Sequence, residues 1–358
     1  MLSSTDEMRL GGVVSGEPKF AKCYPCAEGR RMTVRKNYRP TRVRGDTGGR
    51  LNSAEDAMLV GGVDFSGAKT VPNDTWLVTG ELDSLGLHIK SVKNTGSHAL
   101  AKELDHLKEL SCVAMDFPFS LPAEFLKFLA RKIEKEEFQE WQHAAEPLVF
   151  MSFEQFKQYV DEYEIVALRY TDSKSLRVAK SPLNTGNPSM VQMSFYGMRM
   201  LATFNPEKYA VLPFQEEKRG KVPCNVIEIY PREVLYILGL PDQGYKMKDK
   251  KNHDKAHAVR KEIVDGLIYL RETGGEKFQN CPRLHIDNSL KGALLASDHT
   301  VDALVACYGA ALYHERPQLF DDPWESDSEN MLVEGWIYGP RKLVPSKEQP
   351  TLQVRAKK

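Results

Sequence analysis

Three short apolar runs, 57–63, 112–115 and 226–230, each carry or end on a single carboxylate: Asp64, Asp116 and Glu228. Runs this short and this rich in Val, Ile and Met read as buried strands. A carboxylate on such a strand is costly unless a cation or dense hydrogen bonding meets it. Asp64 and Asp116 stand at the ends of their strands. Glu228 lies between Ile227 and Ile229, so its side chain projects opposite to theirs. One such acid is often a helix cap or an ion-pair partner, whereas three on separate strands imply convergence on a cation.

The remaining pattern sets the architecture. Residues 75–79 and 85–89 read as two strands joined by a turn at 82–84, and 97–110 as a helix capped by Ser97 with a leucine stripe. From 123 to 219 helical spacing alternates with Pro-rich loops. Residues 232–238 and 257–270 read as helices, and 298–314 as the last strong helix, with apolar residues three and four apart. A final short strand is expected at 334–338. Strand, hairpin, helix, strand, helical insertion, strand and helices in that order define an α/β chain with at least some parallel strands. Such a sheet places functional groups at strand C-termini.

The 358 residues hold 49 Lys and Arg against 49 Asp and Glu, a balance that argues against a general polyanion binder and leaves local patches open. The longest run of apolar or small residues, 304–313, falls far short of the roughly 20 residues of a membrane span, and the first residues lack the shape of a signal peptide. A cytoplasmic protein with no membrane partner is expected. Residues 1–57 are rich in Gly, Ser, Thr and Arg, with nine basic residues between Lys22 and Arg50. They read as a disordered basic tail, either simply solvated or reaching for phosphates. Beyond Pro340 a second tail, 341–358, is expected. Cys23 and Cys26 form a CxxC, but only the scattered Cys281 and His285 offer further ligands, which disfavours structural zinc.

The last helix adds two acids on one face, Asp298 and Asp302. Asp302 borders the apolar stripe beside Ala306 and Gly309, whose small side chains permit close approach to a sheet. Asp298 sits where an N-cap would. His299 is a candidate ligand or proton shuttle, or a plain surface histidine. Four or five acids without a Cys or His cluster suit Mg²⁺ or Mn²⁺. Such ions activate water and stabilise the leaving oxygen of a phosphodiester. Strand-end acids also occur in ATP sites. The turn Ser66-Gly67-Ala68 either offers backbone N–H groups to a phosphate or is a plain tight turn; Arg169 and Lys246 are candidate phosphate contacts or else surface or ion-pair groups; and Lys246 opens a basic run to Lys255 that tracks a nucleic-acid backbone or is a solvated face.

Nine motifs in order carry a family resemblance: GVDFSGA (62–68), AMDFPFSLP (114–122), RYTD (169–172), FYG (195–197), VLPF (211–214), IEIYPREVL (227–235), GYK (244–246), SDHTVDALVA (297–306) and EGWI (334–337). Together they resemble the domain-of-unknown-function 429 family (DUF429), predicted ribonuclease-H-like nucleases, over residues 58–340. The resemblance implies a ribonuclease-H-like mixed sheet of five strands flanked by helices, starting with a three-stranded antiparallel unit and interrupted by the helical insertion. It implies Asp64 as the first-strand acid, Asp116 as the fourth-strand acid and Asp302 as the last-helix acid, and Glu228 matches the EIYP acid. In related resolvases the last helix carries paired ligands three apart, here His299 and Asp302.

The expectation is therefore a metal-dependent nuclease using two-metal-type phosphodiester hydrolysis, with Asp64, Asp116, Glu228 and Asp302 catalytic and a nucleic acid as partner. Asp298 and His299 are additional candidate ligands. An ATP-dependent phosphotransferase of the actin and sugar-kinase type, or a non-catalytic binding module, are the alternatives.

Overall fold

The computed structural model describes residues 57–67, 73–186, 190–246 and 252–344. Expectations for residues 1–56, for Cys23 and Cys26, for Ala68, for the lysines at 248, 250 and 251 and for residues 345–358 lie outside that set. The described residues all fall in one compact unit.

The strands are β1 Met58–Asp64, β2 Trp76–Asp83, β3 Gly86–Asn94, β4 Leu110–Asp116, β5 Tyr209–Val211, β6 Cys224–Glu228 and β7 Leu284–His285. The helices are α1 Leu100–His106, α2 Ala123–Lys132, α3 Trp141–Phe150, α4 Phe153–Tyr163, α5 Tyr170–Lys174, α6 Met190–Leu201, α7 Pro231–Ile237, α8 His253–Ile268, α9 Leu270–Thr273, α10 Asn288–Leu295, α11 Asp298–Glu315 and α12 Met331–Glu334. The strands form one mixed sheet in the order β5-β6-β4-β1-β2-β3-β7. β1, β2 and β3 are joined antiparallel, and the other neighbours run parallel. The fold is thus α/β with the antiparallel start that the resemblance implies. β5 and β7 widen the expected five strands at both edges; at three and two residues they are too short to show a period.

The β2–β3 hairpin closes on a two-residue turn, with Asp83 paired to Gly86. Asp83 Oδ1 accepts the N–H groups of Leu85 and Gly86 at 2.7 and 3.1 Å, an Asx turn that fixes the register. α1 is shorter than the leucine stripe suggests. Ser97 does not cap it: its N–H and hydroxyl are bonded to the Asn73 side chain at 2.9 and 2.8 Å, while Leu110 opens β4.

Side-chain alternation divides the core in two. Val60, Cys112, Ala114 and Ile227 face α11. Val63, Val113, Met115 and Val226 face the insertion α2–α6, whose chain then returns to the sheet as β5. α11 is buried without interruption from Thr300 to Tyr313, as befits a helix apolar nearly all round. No helix is long and apolar enough to cross a membrane among the described residues.

Two expectations near the C-terminus need correction. Residues 334–338 are not a strand: α12 ends at Gly335 with φ +83°, and Ile337 makes a single parallel bridge to Glu228. Nor does the body stop at Pro340. Arg341 and Leu343 are buried, and Arg341 forks onto Glu233 at 2.8 and 3.0 Å and reaches Asp321 at 3.0 Å.

Candidate metal centre

β1 and β4 are parallel neighbours whose register pairs Asp64 with Asp116. Both carboxylates therefore leave the same face at the same end of the sheet. α11 crosses that face, and Gly62 is the reason it can come close: a Cβ there would lie 1.9 Å from the Cys307 nitrogen and 2.2 Å from the Ala303 carbonyl oxygen. Asp302, next to Ala303, is thereby carried to the strand ends. One oxygen each of Asp64, Asp116 and Asp302 lies within 4.8 Å of the other two. The three acids expected on the first strand, the fourth strand and the last helix converge.

Their partners differ. Asp302 is only 1% exposed, and both its oxygens are engaged. The Tyr245 hydroxyl donates to Oδ1 at 2.9 Å, and Lys246 Nζ stands 2.5 Å from Oδ2. Asp64 Oδ2 lies 2.7 Å from His299 Nδ1, and His299 Nε2 lies 3.9 Å from Asp74. The Asp116 carboxylate makes no hydrogen bond or ion pair with any described residue.

Burial pushes the Asp64 carboxyl up to about 6, against the His299 hydrogen bond that pulls it down, with the Asp302 charge adding to the rise. Burial, followed by the charges of Asp302 and Asp64, holds Asp116 well above the carboxylate range. Desolvation alone would lower Lys246 and His299, but carboxylates reverse the sign: Asp302 raises the ammonium and Asp64 raises the imidazole. Three crowded carboxylates, two of them buried, are short of positive charge, and the donors are hard oxygens. That set fits Mg²⁺ or Mn²⁺ and does not fit a thiolate or imidazole metal site.

Glu228 does not join them. The β4–β6 register pairs it with Met115, not with Asp116, so its side chain lies on the insertion face. There Arg169 grips it with two bonds, Nη1 to Oε2 at 2.8 Å and Nη2 to Oε1 at 2.6 Å, and the Phe119 N–H adds a third at 2.8 Å. Arg169 is 1% exposed and also holds Asp172. Neither Arg169 as a phosphate contact nor Glu228 as a metal ligand matches this placement; together they lock the insertion to β6. Glu334 extends the lock, accepting the N–H of Ala123 at the start of α2 and of Tyr170 at the start of α5, both within 2.8 Å.

Other candidates also settle. The N-cap of α11 is Ser297, whose hydroxyl accepts the Thr300 N–H at 3.1 Å, so Asp298 is the first helical residue and lies outside the triad. Its charge raises His299. The Ser66 N–H donates to Thr75 Oγ1 at 2.9 Å, so it is not free for a phosphate. Lys246 is half-exposed at the triad.

Three residues of the site were not singled out from sequence. Tyr245 stands beside Lys246 in GYK, where a tyrosine next to a lysine was the available signal. Gly62 lay in the GVDFSGA motif, read for its acid and for the turn that follows it. Asp74, in an exposed connection, carries no signal.

These features define an α/β protein with an oxygen-rich acidic centre at the C-terminal ends of two parallel strands, completed by a buried helix. The family described as protein of unknown function (DUF429) matches residues 210–324, about a third of the chain and the part that holds β6, GYK and α11. The resemblance read from the motifs is thus supported by a match to that family over this stretch. No curated protein and no solved structure matches the chain.

Proposed function

We propose that the protein is a cytoplasmic, Mg²⁺- or Mn²⁺-dependent nuclease that hydrolyses phosphodiesters, with Asp64, Asp116 and Asp302 holding the cation. The observation that carries this reading is Asp116: a carboxylate raised well above its ordinary range, with no described partner, within 4.8 Å of two other buried carboxylates. A cation bound there supplies Lewis-acid activation of water and positive charge at the leaving oxygen. Tyr245 orients Asp302 through Oδ1, and His299 orients Asp64 through Oδ2, where it is also placed to hold or pass a proton. Lys246 offers its half-exposed ammonium to an anionic substrate oxygen. The engaged Ser66 N–H weighs against the phosphotransferase alternative, which needs that turn as a phosphate cradle.

The test pairs binding with turnover. Mn²⁺ should raise the melting temperature of the wild-type protein and leave that of Asp116→Asn unchanged, and branched, single-stranded or hybrid substrates should be cut only with the metal. A wild-type protein indifferent to both ions rejects the metal-dependent reading. Metal binding without cleavage of any of these substrates, together with saturable ATP binding, favours the phosphotransferase.

A further inference from the structure

Beside the triad stand two arginines that the chemistry above does not use. Tyr230 lies two residues past β6, next to Ile229, whose N–H donates to the carbonyl of Met115 at 3.1 Å beside Asp116, and the charges of Asp116, Arg232 and Lys246 all act on its hydroxyl. The same hydroxyl donates to the Val178 carbonyl at 3.2 Å, which brings the neighbouring Arg177 from the insertion to this side of the site. Asp242 then ties the two arginines together: Arg177 Nε lies 2.7 Å and Arg232 Nε 3.3 Å from the same Oδ2. The Arg177 guanidinium also lies over Tyr236, 3.6 Å from the ring centroid. Both arginines are partly exposed, while Asp242 is mostly covered.

One carboxylate pinning two guanidiniums leaves a net positive, pre-oriented pair, and Tyr230, which reaches toward that pair, also feels the charge of Lys246. Arginines held this way lose little further freedom on meeting an anion, and their remaining donors suit phosphate oxygens. We propose that Arg177, Arg232 and Lys246 form a ridge that grips successive phosphates of a nucleic-acid strand, so that the substrate of the triad is a polynucleotide and not a mononucleotide. This rests on the phosphodiesterase reading for the chemistry at the triad, but the ridge is tested without it.

The experiment follows binding of a fluorescent single-stranded 20-mer to the full chain in EDTA, between about 50 and 200 mM salt. The double variant Arg177→Gln/Arg232→Gln should bind about tenfold more weakly at the low-salt end. Its salt slope should fall by about 1.4, near 0.7 for each single-strand phosphate that is no longer neutralised. Arg177→Lys/Arg232→Lys should restore most of the slope, which a fold defect would not do. A mononucleotide should compete only at far higher concentration than the 20-mer. An unchanged slope in the double variant, or equal competition by the mononucleotide, overturns the proposal. Mn²⁺ titration of the wild type and the double variant side by side keeps the two readings apart: failure of the wild type to bind metal removes the chemistry, and failure of the slope to change removes the ridge.

Discussion

Gly62 of β1 lies against the backbone of Cys307 in α11 with no room for a methyl group, a Cβ there falling 1.9 Å from the Cys307 nitrogen. The obstacle is helix backbone, which cannot rotate away as a side chain would. Gly62→Ala should therefore destabilise the protein by about 3 kcal/mol, the upper range for overpacking. It should also weaken Mn²⁺ binding, because the shift that relieves the clash moves Asp302 from the strand ends. Urea unfolding and Mn²⁺ titration check both effects, and a variant of wild-type stability would show that α11 does not need this close approach.

Asp116 and Glu228 should behave oppositely. Asp116→Asn removes a half-buried carboxylate crowded by two others, so the metal-free protein should be as stable as the wild type or more so, with the Mn²⁺ response abolished. Glu228→Gln deprives Arg169 of its bidentate partner and should cost about 3 kcal/mol, with Mn²⁺ affinity nearly unchanged. Melting curves with and without Mn²⁺ distinguish them. Loss of metal binding in Glu228→Gln at full stability would return Glu228 to the ligand set.

These contrasts show what could be read from the chain. Asp64, Asp116 and Asp302 were legible because each sits on an element whose apolar pattern is strong, and strand ends and a helix face fix direction without long-range information. Glu228 carried the same local signature, an acid among isoleucines. Its face is set by pairing with Met115, and register between strands more than a hundred residues apart is not a local property. Arg169 as a phosphate contact failed for the same reason: an arginine in a loop reads as a surface or ion-pair group, and only the packed insertion shows that three polar groups enclose it. The seven-residue β1 was visible, whereas β7, with two residues, exists only because β3 is there to pair with it.

Lys246 occupies an oxygen that a cation needs. Its ammonium stands 2.5 Å from Asp302 Oδ2, so on the metal-dependent reading proposed above it would compete with the ion for the carboxylate and be released to substrate once the ion binds. Lys246→Met should raise Mn²⁺ affinity by about tenfold, the order expected on removing a like charge a few ångströms away. The same change should lower any cleavage rate. Calorimetric titration of Mn²⁺ gives the first quantity and a single-turnover assay the second. A fall in affinity would mean that Lys246 holds Asp302 in its binding position instead of opposing the cation.

The pH dependence of stability follows from Asp64, whose carboxyl rises from 3.8 to about 6 on burial. Between about pH 4 and 6 the folded protein holds a proton that the unfolded chain has released. Stability without metal should therefore fall as pH rises through that window and level off above it. Asp116, raised by the same burial and by its neighbours' charges, acts in the same direction. Other carboxylates oppose the trend, Asp83 among them, since its backbone hydrogen bonds hold it below the usual range despite some burial. The decisive quantity is thus the difference between wild type and Asp64→Asn in urea unfolding from pH 4 to 8. That difference should favour the wild type at pH 4 and the variant at pH 7. Saturating Mn²⁺ should invert it, because the ion requires the carboxylate that the proton occupies, and affinity should drop about tenfold per pH unit for each proton displaced. A difference that does not change with pH would place Asp64 in water, outside any shared centre.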